Sequence, residues 1–386
     1  MRVRRPAWAL SGYYLAYFAY VGAYSPYITL YMKDIGLAAT QIGVLYAIPQ
    51  VMRMFGPALW GSLADRRGSA APLLRLAAAL ALVSFCGLYL GDSFAWLFLV
   101  FVAFHFFTSG QMPMIEAITL NHVRDAPGRY GRIRVWGSIG FLLSVLGVGA
   151  ALDIVASTVV LHVTAALLAV TALVAWWVPR TSHGASPGTA PDLRTLFARR
   201  DLRAFFAASF CNAVAHAALY TFYSLHLSAL GYDKTVIGLM WAVGVIVEIG
   251  VFQCWPWIAR RFAMRDLYAA TFVIGTLRFA MIAWGGDWWW ILVAAQVMHA
   301  ATFAVYHGSA VALIAQSFGA TGQGRGQGLY TAVSFGFGGS VGALVAGALW
   351  DRVGAQWTFS LSALACLMGV LVLSGARGST PARSMR

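Results

Sequence analysis

The chain has 386 residues, of which 60% are hydrophobic and 10% charged, with a mean hydropathy of +0.72. Soluble domains carry about 25% charged residues, so a water-soluble globular fold is excluded. The formal net charge of +14, from 27 basic and 13 acidic side chains, would suit nucleic acid if the bases were spread evenly, but they are not.

A membrane-crossing helix needs about 20 apolar residues. Twelve such stretches follow one another at 9–31, 41–62, 73–91, 94–120, 134–153, 157–178, 203–227, 236–258, 268–284, 288–315, 327–350 and 356–374. With the N-terminus in the cytoplasm, 22 basic residues fall in the inside segments, and only Lys33, Lys234 and Arg352 fall outside. That asymmetry is the positive-inside rule, and it predicts both termini in the cytoplasm. It also predicts Lys33, Asp92, Asp153, Lys234, Asp287 and Asp351 near the outer face. Arg2, Arg4 and Arg5 precede the first apolar stretch without an A-x-A-like cleavage site, so this stretch is read as an uncleaved span. The four cysteines, Cys86, Cys211, Cys254 and Cys366, form no C-x-x-C pair and are expected as buried free thiols.

The first span carries Tyr13, Tyr17, Tyr20, Tyr24, Tyr27 and Tyr31 at steps of four and three, one helical face. Lipid needs no hydroxyls, whereas a cavity wall does, and rings with polar tips suit an aromatic or amphipathic ligand. Between spans 2 and 3 stands Gly61-Ser62-Leu63-Ala64-Asp65-Arg66-Arg67-Gly68. There Gly61 permits close helix approach, Asp65 and Arg66 supply charge for a latch, and Gly68 allows a tight turn.

Glu116 and Glu248 are the only glutamates in the chain, and both sit inside apolar spans. A charge at the bilayer centre costs about 2.5–3.5 kcal/mol on the mildest scale and persists when it is paired or faces water. Glu116 and Arg134 lie 18 residues apart across the turn at Asp125. Equal distance from the turn of an antiparallel pair gives equal depth, so a buried ion pair is expected. The Pro- and Gly-containing segment after Arg180 reads as a linker. It divides the chain into a six-helix half at 1–179, a linker at 180–202, a second half at 203–376 and a tail at 377–386. At an offset of 195, Leu30, Gly36, Thr40, Ile42, Gly43 and Ala47 recur as Leu225, Gly231, Thr235, Ile237, Gly238 and Ala242, and Arg53 falls on Glu248. In span 7, Asn212, His216, Tyr220, Tyr223 and His226 repeat the polar-tipped face. Glu248, Arg278 and His299, on spans 8, 9 and 10, are all expected at mid-membrane.

These features identify a resemblance. The Gly61–Gly68 pattern and the parallel six-span halves resemble the major facilitator transporters, whose binding site lies between the halves. The run from Tyr130 to Phe141 resembles the matching hairpin of the lactose permease-type proton symporters. In those proteins the second arginine and the glutamate 18 positions upstream bind sugar, and Phe141 stands where they stack a tryptophan. The acid–arginine–histidine set of Glu248, Arg278 and His299 resembles their proton-coupling cluster, with Thr302 in place of a further acid. Ala215-His216-Ala217-Ala218 and His299–Phe303 with His307 extend the resemblance to the phenylpropionate permease branch.

The resemblance implies an all-α membrane protein with twelve transmembrane helices in two halves. It implies a non-enzymatic, monomeric, proton-coupled symporter of a small organic anion, plausible substrates being phenylpropionate-like aromatic carboxylates, in the cell inner membrane. Substrate contacts are expected at Glu116, Arg134, Phe141, Tyr17, Tyr20, Tyr24, Asn212 and His216. Proton coupling is expected at Glu248, Arg278 and His299, and the conformational latch at Gly61, Asp65, Arg66 and Gly68. The expected partners are the substrate and the lipid bilayer, with no nucleic acid, metal or cofactor beyond the proton itself. The open alternatives are a proton-coupled sugar or oligosaccharide symporter, an exporter, and, from another class, a membrane receptor or intramembrane enzyme.

Overall fold

The computed structural model describes residues 7–126, 128–180 and 198–377. Residues 181–197 of the linker predicted at 180–202, residues 378–386 of the tail predicted at 377–386, and the arginines at 2, 4 and 5 lie outside the described residues. Among the described residues there is no strand; helices follow one another through the chain.

The first predicted span is two helices, α1 (Ala7–Tyr24) and α2 (Ile28–Asp34). Pro26 sits in the break, where it cannot donate a backbone hydrogen bond. Then come α3 (Ala39–Arg67), α4 (Ala71–Cys86), α5 (Phe94–Ser109), α6 (Gln111–His122), α7 (Arg129–Leu152) and α8 (Val159–Ala175). The expected single span at 94–120 is divided at Gly110, where the ring of Trp60 occupies the place a Cβ would take. The second half holds α9 (Arg200–Ala229), α10 (Lys234–Arg261), α11 (Met264–Trp284), α12 (Trp289–Ala300), α13 (Tyr306–Thr331) and α14 (Gly339–Arg377). Wide π-type turns at Ala301–Val305 and Ala332–Gly338 join α12 to α13 and α13 to α14. The last two predicted spans follow one another across Gly354, whose non-helical φ +79° and ψ 174° separate two helices.

Among the described residues nine helical segments are long and apolar enough to cross a membrane, and α8 is a shorter apolar helix. Cys86 and Cys254 are exposed and Cys366 is buried, so the expectation of burial fails for the first two; on apolar helices an outward thiol meets lipid as readily as an alkyl group.

The internal repeat is visible in backbone detail. Gly36 and Gly231 both take φ +87°. The Gly36 amide donates to the Lys33 carbonyl at 3.0 Å and the Leu37 amide to that of Met32 at 3.1 Å. At the same offset, Gly231 donates to Ser228 and Tyr232 to Leu227, each at 3.1 Å. Only glycine takes this left-handed conformation without steric cost, so both copies keep it.

The helices cluster into two units. Unit 1 holds the described residues up to 180 together with Ser224–Ala242; unit 2 holds those up to Tyr223 and from Val243 onward. In unit 1, α1 packs on α7 by close backbone approach. A Cβ at Gly22 would lie 2.6 Å from the Phe141 carbonyl oxygen, and one at Gly140 would collide with the Leu15 carbonyl. Small residues are what allow helices to approach this closely where no hydrophobic force drives them together. Leu10, Tyr13, Trp60, Ile115 and Ile133 fill the core beside this seam.

The α9–α10 turn belongs to unit 1 because Asp153, at the end of α7, caps the start of α10. Its carboxylate accepts the Lys234 amide at 2.6 Å, the Thr235 amide at 2.9 Å and the Thr235 hydroxyl at 2.6 Å. The first amides of a helix have no partner within it, so the acid answers donors that need one. Behind it the Tyr27 hydroxyl donates to the Val145 carbonyl at 2.6 Å. In unit 2, Phe205, Phe206, Tyr268, Phe272, Tyr306 and Tyr330 form an aromatic core.

Candidate functional site

Each unit holds an interior cation. In unit 1 it is Arg134, half-buried on α7. Its guanidinium carbon lies 4.2 Å from the Phe18 ring centroid and 5.4 Å from that of Tyr14. Cation–ring contacts of this kind contribute about 0.5–1 kcal/mol when exposed and about 2 when desolvated.

The expected Glu116–Arg134 ion pair is not formed. Among the described residues no carboxylate lies within 4.0 Å of Arg134, and Glu116 accepts a hydrogen bond from the Tyr130 hydroxyl at 3.1 Å. The two charges do share depth, since Tyr14 lies within electrostatic reach of both. Helix direction differs: α1 aromatics stand against the Arg134 face of α7, and Tyr130, one turn earlier on the same helix, takes the glutamate instead.

Tyr17 is influenced by three charges of unit 1, one of which, Arg53, is exposed. It is half-buried and within electrostatic reach of Arg53, Arg134 and Glu116. Arg53 also reaches Tyr46 and His105, and donates to Gln50 at 3.2 Å. Tyr17 packs edge-on to Tyr20, with centroids 4.9 Å apart. The rest of the tyrosine stripe is spent on packing: Tyr13 donates to Gln111 Oε1 at 2.8 Å, and the Tyr24 hydroxyl meets His105 Nε2 at 3.1 Å. Phe141 is half-buried and lends its backbone to the Gly22 seam. Gln111 and His105 were missed in the sequence. Both are polar residues inside an apolar run, which was the available signal, but their partners on α1 could not be read from spacing.

In unit 2 the cation is Arg278 on α11, with 0% of its surface exposed. Its Nε donates to the Ala295 carbonyl at 2.9 Å and its Nη1 to the Thr302 hydroxyl at 3.2 Å, with His216 Nε2 at 3.4 Å. His216 Nδ1 lies 2.9 Å from the Asn212 carbonyl, which can only accept. Nδ1 therefore carries the proton, and Nε2 offers its lone pair to the guanidinium. His299 stands beside this group, its ring centroid 6.4 Å from that of His216. Arg278, His299, His216 and Asn212 are thus brought together. Glu248 is half-buried on α10. Thr302, seen in the sequence only as the replacement of an acid, is a direct partner of the arginine.

At the predicted latch, Gly68 takes φ +65° and closes α3, its amide donating to the Asp65 carbonyl at 3.2 Å. Asp65 and Arg66 are exposed. Among the described residues nothing lies within 4 Å of where a Cβ at Gly61 would be. A cavity of about 310 Å³ in unit 2, lined by Asp201, Arg265, Tyr268 and Leu373, lies away from these groups. Tyr268 is ten residues before Arg278, or about 15 Å along α11. Asp201 accepts from Arg199 at 2.8 Å and from Arg265 at 3.3 Å there, an exposed arrangement worth about 0–1 kcal/mol per pair.

The family model described as MFS_1 like family matches residues 7–361. The chain belongs to that family. It is a multi-pass membrane transporter of the major facilitator type and not an enzyme. It is 28% identical over 372 residues to the probable 3-phenylpropionic acid transporter of Escherichia coli (strain K12), covering 94% of this chain and 97% of that one. It is 29% identical over 368 residues to the maltose permease of Geobacillus stearothermophilus, covering 94% and 92%. Among solved structures, the nucleoside transporter NupG superposes with TM-score 0.84 at 19% identity, over 98% of this chain and 99% of that one. That likeness is one of fold.

Proposed function

We propose that this transporter is a proton-coupled symporter of a small organic anion, an aromatic carboxylate of the phenylpropionate kind. One observation carries the reading: in unit 1 Glu116 is hydrogen-bonded to Tyr130 and leaves the half-buried Arg134 resting on the rings of Phe18 and Tyr14. A guanidinium in that setting gains a bidentate partner when a carboxylate enters, and the rings of Tyr17, Tyr20 and Phe18 suit an aromatic body. The likeness to a 3-phenylpropionic acid transporter supports the same chemistry.

In this reading the protein works as a monomer in the cell inner membrane with both termini cytoplasmic, and needs no cofactor besides the proton. Glu248 takes up and releases that proton, and the Gly61–Gly68 turn serves as the cytoplasmic latch. Asn212 and His216, in unit 2, are further proposed substrate contacts. The likeness to a maltose permease favours a second reading, sugar symport, in which Glu116 accepts from substrate hydroxyls. Calorimetry with 3-phenylpropionate and its amide separates the two. The acid alone should bind, and equal binding of acid and amide rejects the anion reading.

A further inference from the structure

Arg278 is fully buried, and every group it bonds is neutral: a backbone carbonyl, a hydroxyl and a lone pair of an uncharged imidazole. Among the described residues its Nη2 has no hydrogen-bond partner. A guanidinium does not lose its proton in a protein, so this is a permanent positive charge removed from water and left with an unanswered pair of N–H donors. Isolated buried cations are among the costliest groups a fold can hold.

Two more buried polar atoms beside it are also unanswered. Gln296 Nε2 and His299 Nδ1 have no partner among the described residues, and these residues are 1% and 7% exposed. They stand three apart on α12, hence on one face. Both side chains press against the same spot on α10: a Cβ at Gly244 would lie 3.2 Å from His299 Cδ2 and 3.4 Å from Gln296 Oε1. Arg278 joins them through its bond to the carbonyl of Ala295, the neighbour of Gln296. The π-type turn that begins at Ala301, one residue beyond α12, carries Thr302. Such turns recur at functional sites because they re-aim side chains within a helix.

We propose that Arg278, Gln296 and His299 form a second anion seat, inside unit 2, that takes a small monovalent anion. The permanent charge of the arginine and the amide N–H pair of Gln296 select a negative acceptor; His299 Nδ1 joins as a donor in the matching tautomer. Two sources share this chemistry, the carboxylate of the transported molecule and chloride. The seat stands on the geometry of unit 2, and rests on the symport reading only for the carboxylate source. Its role differs from tuning Glu248, since it needs no carboxylate from the protein.

The test uses the full-length protein in lipid nanodiscs. Melting temperature and calorimetric affinity are measured with sodium 3-phenylpropionate in a HEPES–Bis-Tris buffer free of chloride and carboxylate, and separately with sodium chloride. Arg278→Gln, Gln296→Met and Arg134→Lys are compared with wild type. The seat predicts that at least one anion loses tenfold or more in affinity in Arg278→Gln and about three- to tenfold in Gln296→Met. Loss of 3-phenylpropionate binding in Arg278→Gln assigns the seat to the transported carboxylate. Loss confined to the chloride effect assigns it to chloride. In anion-free buffer Arg278→Gln should melt no lower than wild type, because it removes an unanswered charge.

If neither anion distinguishes wild type from Arg278→Gln and Gln296→Met, the seat is refuted. A lower melting point in Arg278→Gln together with unchanged anion response refutes it equally and makes the arginine purely structural. Neither result touches the unit 1 reading, which fails on a different outcome: full 3-phenylpropionate binding by Arg134→Lys.

Discussion

Replacing Asp153 by alanine should loosen the start of α10 and little else. The carboxylate answers two backbone amides and a hydroxyl at 2.6–2.9 Å. Removing a helix-capping side chain costs about 0.5–2 kcal/mol, and Asp153 is exposed to solvent, which argues for the middle of that range. About 1 kcal/mol raises a local opening equilibrium about fivefold. Hydrogen exchange read by mass spectrometry should therefore show faster exchange across Lys234–Ile237 in Asp153→Ala. The helix Met264–Trp284, in unit 2, serves as the unchanged reference. The pH dependence follows from the sign of the shift. The slight burial of Asp153 pushes its pKa up, but the hydrogen bonds from Thr235 and Lys234 outweigh this and hold it below the ordinary aspartate value. A lowered carboxyl pKa contributes stability that is present above the ordinary value and lost as pH falls through the lower one. The difference between wild type and variant should thus stay constant from about pH 8 to about pH 5 and vanish only in stronger acid. Equal exchange in the two proteins at neutral pH, or a change spread evenly over α11 as well, would refute the capping argument.

Arg134→Lys keeps the charge but not the planar fork, and calorimetry should show 3-phenylpropionate affinity falling about tenfold or more, a loss of about 1.4 kcal/mol. Glu248→Gln should abolish uphill uptake driven by a proton gradient while sparing exchange in proteoliposomes; retained accumulation removes Glu248 from the coupling step. Gly140→Leu forces a side chain into the Leu15 carbonyl and should separate α1 from α7, which a fall in melting temperature and loss of binding would register. A cysteine placed at Ser186 should resist an impermeant thiol reagent in intact cells, and labelling from outside would reverse the topology.

Hydropathy made the membrane class legible because burial in lipid constrains every backbone polar group and so leaves long apolar runs. The repeat was legible because its turns need glycine, and Gly36 and Gly231 adopt one conformation with one hydrogen-bond pattern. Depth was also legible: counting from the turn at Asp125 put Glu116 and Arg134 near the same side chain, Tyr14. What counting could not supply was direction around the helix axis, so the two charges share a level without pairing. The same blindness hid Gln111, whose tie to Tyr13 depends on which helix lies against α1. The break at Pro26 carried its own signal, but apolar content ran straight through it.

The wide turn at Ala301–Val305 makes α12 and α13 one rod with two independent azimuths. Each helical residue advances the chain by about 100°, and a π-type turn holds one residue more than an α turn. With it, Thr302 meets Arg278 at 3.2 Å while Tyr306, four residues later, stacks on Tyr268 with centroids 5.4 Å apart. Deleting Ala304 would close the wide turn to an α turn, so that the helix from Tyr306 keeps its place while Thr302, inside the turn, is re-aimed away from Arg278. Spliced chimeras that join the first part of this rod to the second part of a relative's should therefore keep the aromatic core with or without the extra residue, and keep the hydroxyl on the arginine only with it.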